Sequence, residues 1–352
     1  MTGLLCYCRA GFEPELAAEL TERAALAGIA GYARAGRDDG YVLLHGDVFH
    51  ADDADALSQA LPWRQLVFAR QKTVLIAELE GLDPRDRITP LLAALEGRGR
   101  YGELWMEHPD SDAGKPLSGL ARSFGNALRP VLRQRGFLTM QPDPRLSRLH
   151  VCFVAGDRAL LGRSRVEDSA PWPLGIPRLK LLSGAPSRSA LKLEEALLAL
   201  LSERERDAWL KPGMQAADLG AAPGGWTWVL TRHHMRVAAI DNGPLQPQLL
   251  DTGLVEHLQA DGFRWSPERT LDWMVCDMVE QPRRVAERMA TWFREEWCRH
   301  AVFNLKLPMK KRWQEARDCL DLFADQAGRP LTIRARQLYH DREEITVFAA
   351  AA

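Results

Sequence analysis

The sequence predicts an α/β protein in which an α+β region precedes a mostly parallel β-sheet with helices on both faces and a closing antiparallel hairpin. The first observation is that strand-like runs alternate with helical stretches in the second half of the chain, a pattern typical of crossover units. The runs are "MQAADL", "VAAID", "VEHLQAD", "LDWMVCDM" and "AVFNLKLP". The second observation is that two strand-like runs end the chain, "LTIRARQLYHD" and "EITVFAA", too close together for a crossover.

The N-terminal elements are predicted in order from shorter patterns. Strand candidates are "LLCYCRA", "GYVLLHGD", "TVLIAELEG" and "RLHVCFVAG", and "ELAAELTERAALAG" reads as a helix. These elements fit one or two small α+β units, which we place at residues 1–60 and 61–165. Residues 166–186 are rich in proline and lack periodicity, which indicates a linker. The sheet domain then occupies residues 187–352 and opens with a helix in "SRSALKLEEALLALL".

Length and composition indicate a folded protein of two or three domains. The chain has 352 residues, of which 46% are hydrophobic and 26% charged, as in ordinary globular proteins. The longest apolar run, "ALLALL", is far shorter than the roughly 20 residues of a membrane helix. The first residues are too few and too acidic for a signal peptide. We therefore expect a cytoplasmic protein without membrane contact.

The cysteine pattern indicates reduced thiols rather than disulfides or a metal site. Six cysteines are scattered along the chain, and only Cys6 and Cys8 are close together. No second pair or histidine cluster completes a zinc site. We expect buried thiols and no bound metal.

Charge is distributed unevenly although the formal net charge is −1. Residues 1–60 hold four arginines against ten acidic residues, whereas residues 114–165 hold one lysine and nine arginines against two acidic residues. Within the basic block, Arg122, Arg129 and Arg133 follow near-helical spacing, which predicts a helix with an arginine face. Such a face binds phosphates or is merely solvated, and phosphate binding gains weight only if the rest of the chain requires nucleic acid.

The stretch "AADLGAAPGGWTWVL" predicts a strand, a glycine turn and a helix. Gly220, Gly224 and Gly225 would let a cofactor approach the backbone at the helix N-terminus. A glycine turn alone is weak evidence, because many such turns are only tight turns. The spacing G-x-x-x-G-G differs from the dinucleotide pattern G-x-G-x-x-G. Asp218 precedes this turn, where its negative charge would favour a cationic cofactor.

Acidic residues also end the next two strand-like runs. Three acidic strand ends in sequence make it unlikely that the glycine turn is only a tight turn. Asp241 can accept hydrogen bonds from the hydroxyls of an adenosine ribose, and Asp261 is placed for the adenine amino group. Together with Asp218 and the glycine spacing, they favour S-adenosylmethionine over a dinucleotide.

Lysines identify a candidate base, because lysine can lose its proton near neutral pH and arginine cannot. The chain has only eight lysines. Lys306 interrupts an apolar strand near its carboxyl end, and Lys192 lies in the helix before the first strand of the sheet domain. Asp277 ends the fourth strand and Glu344 begins the last. We expect the Lys192 ammonium to lower the pKa of Lys306 by like-charge repulsion.

These motifs carry a resemblance to a known family. In order and spacing, "SRSALKLEEA", "DLGAAPGGWTWVL", "DWMVCDMV", "FNLKLPMKKR" and "YHDREEITV" resemble the FtsJ-like ribose 2′-O-methyltransferases. The whole chain resembles more closely the bacterial 23S ribosomal RNA cytidine 2′-O-methyltransferases of the RlmM type, with an RNA-binding, THUMP-like N-terminal region. The similarity covers residues 186 onward with specific motifs and is looser over residues 1–165.

The resemblance implies a Rossmann-like methyltransferase domain, S-adenosylmethionine as cofactor and 23S rRNA as partner. It places a catalytic tetrad on Lys192, Asp277, Lys306 and Glu344. Glu343 also fits, but we choose Glu344 because the family's glutamate directly precedes an apolar-x-apolar strand. The implied cofactor contacts are Ser189, Asp218, Gly220, Ala222, Pro223, Gly224, Gly225, Trp226, Asp241, Asp261 and Asp277. The implied RNA contacts are Arg122, Arg129, Arg133, Arg135, Lys310, Lys311 and Arg312.

The sequence therefore predicts a monomeric enzyme that methylates a cytidine ribose in 23S rRNA, free or in an early assembly intermediate, with Lys306 as general base. A 2′-O-methyltransferase acting on another structured RNA is the alternative. A nicotinamide-dependent oxidoreductase is disfavoured by the glycine spacing. A non-catalytic RNA-binding protein is disfavoured by the four intact polar positions of the tetrad.

Overall fold

The computed structural model describes residues 3–46 and 53–351. The chain divides into two compact units, Met1–Pro177 and Arg178–Ala352. The division falls inside residues 166–186, the segment that the sequence predicts as a linker.

Within the described residues of the first unit, seven strands form one sheet. The strands are β1 (Gly3–Tyr7), β2 (Gly31–Arg34), β3 (Tyr41–Gly46), β4 (Gln71–Leu79), β5 (Glu103–Glu107), β6 (Arg148–Ala155) and β7 (Arg158–Ser164). Their order is β2-β3-β1-β4-β7-β6-β5. Because β4 pairs with β1 on one side and with β7 on the other, the segments predicted as residues 1–60 and 61–165 contribute to a single sheet.

Four helices accompany this sheet in the described part of the unit. They are α1 (Glu13–Leu26), α2 (Asp53–Ala60), α3 (Ile88–Leu95) and α4 (Ser118–Gln134). Helix α4 is the predicted arginine helix. It buries Phe124, Leu128 and Leu132 in a core shared with β6 and β7, so its arginines are left on the other faces of the helix.

The described part of the second unit also forms a seven-stranded sheet. Its strands are β8 (Gln215–Leu219), β9 (Arg236–Ile240), β10 (Val255–Leu258), β11 (Leu271–Cys276), β12 (Cys298–Lys306), β13 (Leu331–Arg336) and β14 (Glu344–Ala351). The order is β10-β9-β8-β11-β12-β14-β13. The first five strands in this order are parallel, and β14 runs antiparallel to both β12 and β13. The predicted α/β class, parallel sheet and closing hairpin are confirmed.

Helices connect these strands. They are α5 (Ala190–Leu200), α6 (Glu203–Trp209), α7 (Gly225–Arg232), α8 (Pro247–Leu250), α9 (Pro282–Arg294) and α10 (Arg312–Gln326). Helix α5 buries Leu193, Leu197 and Leu200, as its apolar spacing predicts, against a core that includes Trp273 and Phe348. This packing fixes α5, and therefore Lys192, relative to the sheet.

All six cysteines are buried and free, as the sequence predicts. Burial raises the pKa of Cys6 and of Cys276 to about 12, so both remain thiols at neutral pH. In the described residues, no helix combines the length and the apolarity needed to cross a membrane.

Candidate active site

Four charged side chains meet at the carboxyl edge of the parallel strands in the second unit. Asp277 directly follows β11, and Lys306 is the last residue of β12. Glu344 begins β14, and because β14 is antiparallel to β12, the register places Glu344 directly opposite Lys306. Lys192 reaches the same point from α5. We call these four residues the lysine–carboxylate cluster.

Each lysine of the cluster contacts both carboxylates. The ammonium of Lys192 lies 3.2 Å from Asp277 Oδ2 and 2.6 Å from Glu344 Oε1. The ammonium of Lys306 lies 2.9 Å from Asp277 Oδ1 and also donates a hydrogen bond to Glu344. The Glu344 side chain is only 4% exposed, whereas that of Lys306 is 25% exposed. Within the cluster, Lys306 is therefore the side chain most accessible to solvent, and Glu344 is the least accessible.

The pKa of Lys306 differs from the sequence-based expectation. Burial acts to lower this pKa, but the attraction of Asp277 and Glu344 for the ammonium outweighs it and raises the pKa above 10.5. The expectation that Lys192 lowers the pKa of Lys306 is therefore wrong for this state. Two carboxylates contact both lysines, and their attraction outweighs the repulsion between the ammonium groups. Burial acts to raise the pKa of Asp277, yet the two ammonium groups hold it below its usual value.

A hydrogen-bonded chain beneath the cluster orients Asp277, and the sequence analysis missed it. Asn304 donates from Nδ2 to Asp277 Oδ1 at 2.8 Å, and Thr346 donates from Oγ1 to Asn304 Oδ1 at 2.7 Å. Thr346 Oγ1 also lies 3.0 Å from a carboxyl oxygen of Asp341. Burial raises the pKa of Asp341 well above its usual value. The sequence does contain a signal for Asn304, because this residue precedes Lys306 by two positions and therefore shares its face of the strand.

The predicted glycine turn connects β8 to α7. Gly220 and Gly224 have φ angles of +79° and +113°, which side chains other than glycine rarely adopt. A Cβ atom at Gly220 would lie 2.6 Å from the Met278 side chain, and one at Gly225 would lie 2.2 Å from Ser189 Oγ. Ala222 and Pro223 lie in the same turn. The turn therefore requires glycine, because added Cβ atoms would meet neighbouring side chains of the protein.

Asp218 lies beneath the turn rather than at its surface. It is 1% exposed, and Thr227 donates a hydrogen bond to it at 2.7 Å. Burial raises its pKa to about 7. The observed contact ties the end of β8 to α7, and a direct contact of Asp218 with a cofactor remains a prediction.

The other two predicted strand-end carboxylates lie nearer to solvent. Asp241 follows β9 and accepts hydrogen bonds from the backbone N–H of Ala222 at 2.9 Å and of Gly243 at 2.7 Å. A carboxylate has further lone pairs with which it can bind ribose hydroxyls. Asp261 follows β10, is 52% exposed and accepts from Phe263 N–H at 2.8 Å.

Ser189 and Trp226 join α5 to α7 beside the turn. Trp226 is buried in the core and donates from Nε1 to the Ser189 carbonyl at 3.0 Å. The Ser189 hydroxyl lies 2.5 Å from that of Ser187. The indole of Trp226 thus supports the turn from the core side.

Comparisons with known proteins match every part of this architecture. An RlmM ferredoxin-like domain model matches residues 1–73, a model of the N-terminal part of ribosomal RNA large subunit methyltransferase M matches 86–165, and an FtsJ-like methyltransferase model matches 185–305. The chain is 72% identical to ribosomal RNA large subunit methyltransferase M of Xanthomonas axonopodis pv. citri, covering 99% of both chains. The chain belongs to the ribosomal RNA large subunit methyltransferase M family. Relatives of the same name in Xanthomonas campestris and Xanthomonas euvesicatoria are 71% and 70% identical, again over 99% of both chains.

Family membership confirms that the chain is a methyltransferase with S-adenosylmethionine as its cofactor. The FtsJ-like match ends at residue 305, just before Lys306. The THUMP-like designation of residues 61–165 remains a prediction. Among the residues described, no group of three or more His, Cys, Asp and Glu side chains is arranged to hold a metal ion.

The arginines that the family resemblance assigns to RNA fall into two classes in α4 and just after it. Arg122 and Arg135 are exposed. Arg129 and Arg133 are half-buried, and they donate hydrogen bonds to the carbonyls of Leu104 at 3.4 Å and of Thr139 at 3.3 Å. The two exposed guanidinium groups are therefore the more accessible to a phosphate.

The basic residues that follow Lys306 also differ in exposure. Lys310 and Lys311 are exposed. Arg312 is only 12% exposed, because it pairs with Glu343 at 2.6 Å. Glu343 thus lies outside the lysine–carboxylate cluster, and Glu344 lies inside it.

Proposed function

We propose that this protein transfers a methyl group from S-adenosylmethionine to the ribose 2′-hydroxyl of a cytidine in 23S rRNA, with Lys306 as general base. The observation that carries the proposal is the lysine–carboxylate cluster, which collects Lys192, Asp277, Lys306 and Glu344 beside the glycine turn. The names of the relatives support ribosomal RNA of the large subunit as the substrate class.

The reaction requires a base because a ribose hydroxyl is a poor nucleophile near neutral pH. Bound S-adenosylmethionine supplies a methyl group on a sulfonium, whose sulfur leaves as a thioether when the C–S bond breaks. The neutral amine of Lys306 takes the proton of the 2′-hydroxyl as its oxygen bonds to the methyl carbon. The proton then resides on the Lys306 ammonium, where Asp277 and Glu344 stabilise it.

The other members of the cluster position Lys306 and adjust its charge. Asp277 and Glu344 hold the Lys306 amine from two sides, and Lys192 competes with it for the same carboxylates. Because these carboxylates raise the pKa of Lys306, the protonated form predominates at neutral pH. Any further cation beside the carboxylates would weaken their hold on the ammonium and favour the neutral, basic form.

The cofactor fits the residues at the turn. In the proposal, the cofactor approaches the backbone of Gly220, Gly224 and Gly225, and the first turn of α7, which begins at Gly225, offers N–H groups. In the proposal, Asp241 binds the ribose hydroxyls of the cofactor and Asp261 its adenine amino group. The carboxylates of the cluster complement a cationic sulfonium.

RNA binding is assigned to exposed cations. In the proposal, Arg122 and Arg135 in the first unit and Lys310 and Lys311 in the second bind phosphates, where positive charge is sufficient. The protein would act as a cytoplasmic monomer on free 23S rRNA or on an early assembly intermediate.

Mapping 2′-O-methyl groups tests the proposal. Ribosomal RNA from a deletion strain should lack one 2′-O-methylcytidine in the 23S molecule, and the purified protein should restore it in vitro. A wild-type methylation map in the deletion strain would contradict the proposal. Loss of a mark in another RNA would support the alternative substrate.

A further inference from the structure

Two aliphatic side chains project into solvent directly beyond the strands that lead to the lysine–carboxylate cluster. Val279 is 88% exposed and Met309 is 77% exposed, more than most other large apolar side chains in the described part of the chain. Val279 follows Asp277 by two residues, and Met309 follows Lys306 by three. Because β11 and β12 are neighbouring parallel strands, both residues follow strand ends at the edge where the cluster lies.

Single exposed apolar residues are common on protein surfaces and require no explanation by themselves. These two differ because each follows, within three residues, a member of the cluster to which the proposed reaction is assigned. Met309 is also followed directly by the exposed cations Lys310 and Lys311. An apolar contact beside ammonium groups matches a nucleotide, which presents the apolar face of a base next to charged phosphates.

The proposed reaction creates a need for such a contact. In the proposal, the target nucleotide presents its 2′-hydroxyl to Lys306 from a single-stranded or splayed-out position, and leaving a stack costs a few kcal/mol. Apolar side chains that cover the free base recover part of this cost. On the basis of the proposed function, we propose that Val279 and Met309 contact the unstacked base of the nucleotide whose ribose is methylated.

This contact positions the base without identifying it. Aliphatic side chains offer no hydrogen-bonding pattern that distinguishes cytosine from uracil. The pair therefore contributes to RNA affinity and to alignment of the ribose with Lys306, and not to the choice of base.

The test compares a double variant, Val279→Ser with Met309→Ser, with a matched control, Leu250→Ser. Leu250 is 44% exposed in α8 of the same unit, and α8 follows β9 rather than a strand that leads to the cluster. The double variant should lower kcat/KM for 23S rRNA about tenfold or more while cofactor affinity stays within about twofold. The control should stay near the unchanged protein. Met309→Leu, which keeps an apolar side chain, should retain activity.

An abasic RNA separates a contact with the base from a general disturbance of the site. The methylated position is first mapped with the unchanged protein, and RNA is then ligated with an intact or an abasic nucleotide at that position. The double variant should lose affinity for the intact RNA and bind the abasic RNA as tightly as the unchanged protein does. Equal losses on both RNAs, or no loss on either, would overturn the base contact. Failure of the unchanged protein to methylate 23S rRNA would instead overturn the proposed function.

Discussion

Lys306 and Glu344 are direct cross-strand partners whose side chains form an ion pair. Lys306 ends β12, Glu344 begins β14, and the antiparallel register places them opposite each other. A carboxylate in this position raises the pKa of the amine. It therefore stabilises the ammonium that forms when Lys306 accepts a proton. The pair thus lowers the fraction of Lys306 that is uncharged at neutral pH. It also raises the affinity of the uncharged amine for a proton.

The first prediction is that the methylation rate rises with pH. The pKa of Lys306 is raised above 10.5, so below that value the neutral fraction grows about tenfold per pH unit. Single-turnover rates at saturating cofactor and RNA should therefore climb between pH 6 and pH 8. A rate independent of pH in this range would contradict proton transfer to Lys306.

The second prediction concerns Glu344→Gln. This variant removes one of the two carboxylates that raise the pKa of Lys306, so the pKa should fall. The rising limb of the pH–rate profile should then move to lower pH, even if the maximal rate declines. The same single-turnover measurement checks it, with Glu343→Gln as the matched control, because Glu343 pairs with Arg312. A limb that stays in place or moves to higher pH would contradict the assigned role of Glu344.

The third prediction concerns the cofactor. Asp241→Ala removes a carboxylate that holds the Ala222 and Gly243 N–H groups and, in the proposal, the cofactor ribose. S-adenosylmethionine binding should weaken by about 2 to 3 kcal/mol, the scale for charge-assisted hydrogen bonds. Calorimetric titration measures this loss. Unchanged affinity would remove Asp241 from the cofactor site.

The fourth prediction concerns RNA affinity. Replacing Arg122 and Arg135 together by Ala should weaken RNA binding and reduce the slope of log affinity against log salt by about 0.7 to 0.9 per lost phosphate contact. Cofactor binding should not change. Arg37→Ala is the control, because Arg37 is also exposed and lies in the acidic N-terminal segment. An unaltered slope would show that the α4 arginines are only solvated.

The fifth prediction concerns stability and Asp218. Burial raises the folded-state pKa of Asp218 from 3.8 to about 7, so between these pH values only the unfolded chain ionises and the free energy of unfolding falls as pH rises. At about 1.4 kcal/mol per pH unit, this loss reaches up to about 4 kcal/mol and then levels off above pH 7. Asp218→Asn can still accept from Thr227 and cannot ionise. Its stability relative to the unchanged protein should therefore rise from pH 4 to pH 7 in urea denaturation, and a constant difference would contradict the buried carboxyl.

The sequence predicted the second unit better than the first for a physical reason. Parallel strands such as β11 are buried on both faces and show as continuous apolar runs between turns. In the first unit, β2 is a mostly exposed edge strand of four residues, and β5 has a glutamate at each end of only three apolar residues. Neither has enough alternation to distinguish it from a loop.

The candidate site, too, could be predicted only in part. Lys306 was noticeable because a charge inside an apolar strand is rare. Asn304 was missed although its spacing of two residues from Lys306 places both on one face of the strand, and Thr346 was missed because a single uncharged polar residue in a strand has no distinctive pattern. The direction of the pKa change at Lys306 depends on how closely the two carboxylates approach it, and only the three-dimensional arrangement of β11, β12 and β14 determines those distances.

The substitution Lys306→Arg tests the central claim most directly. Arginine keeps the positive charge and approximate length but cannot give up its proton near neutral pH, so the variant should bind cofactor and RNA normally. Its single-turnover methylation of 23S rRNA should fall by at least the roughly 100-fold that general base catalysis contributes, and Lys306→Ala should do no better. Near-normal rates for Lys306→Arg would contradict Lys306 as the base and leave positioning as the source of catalysis.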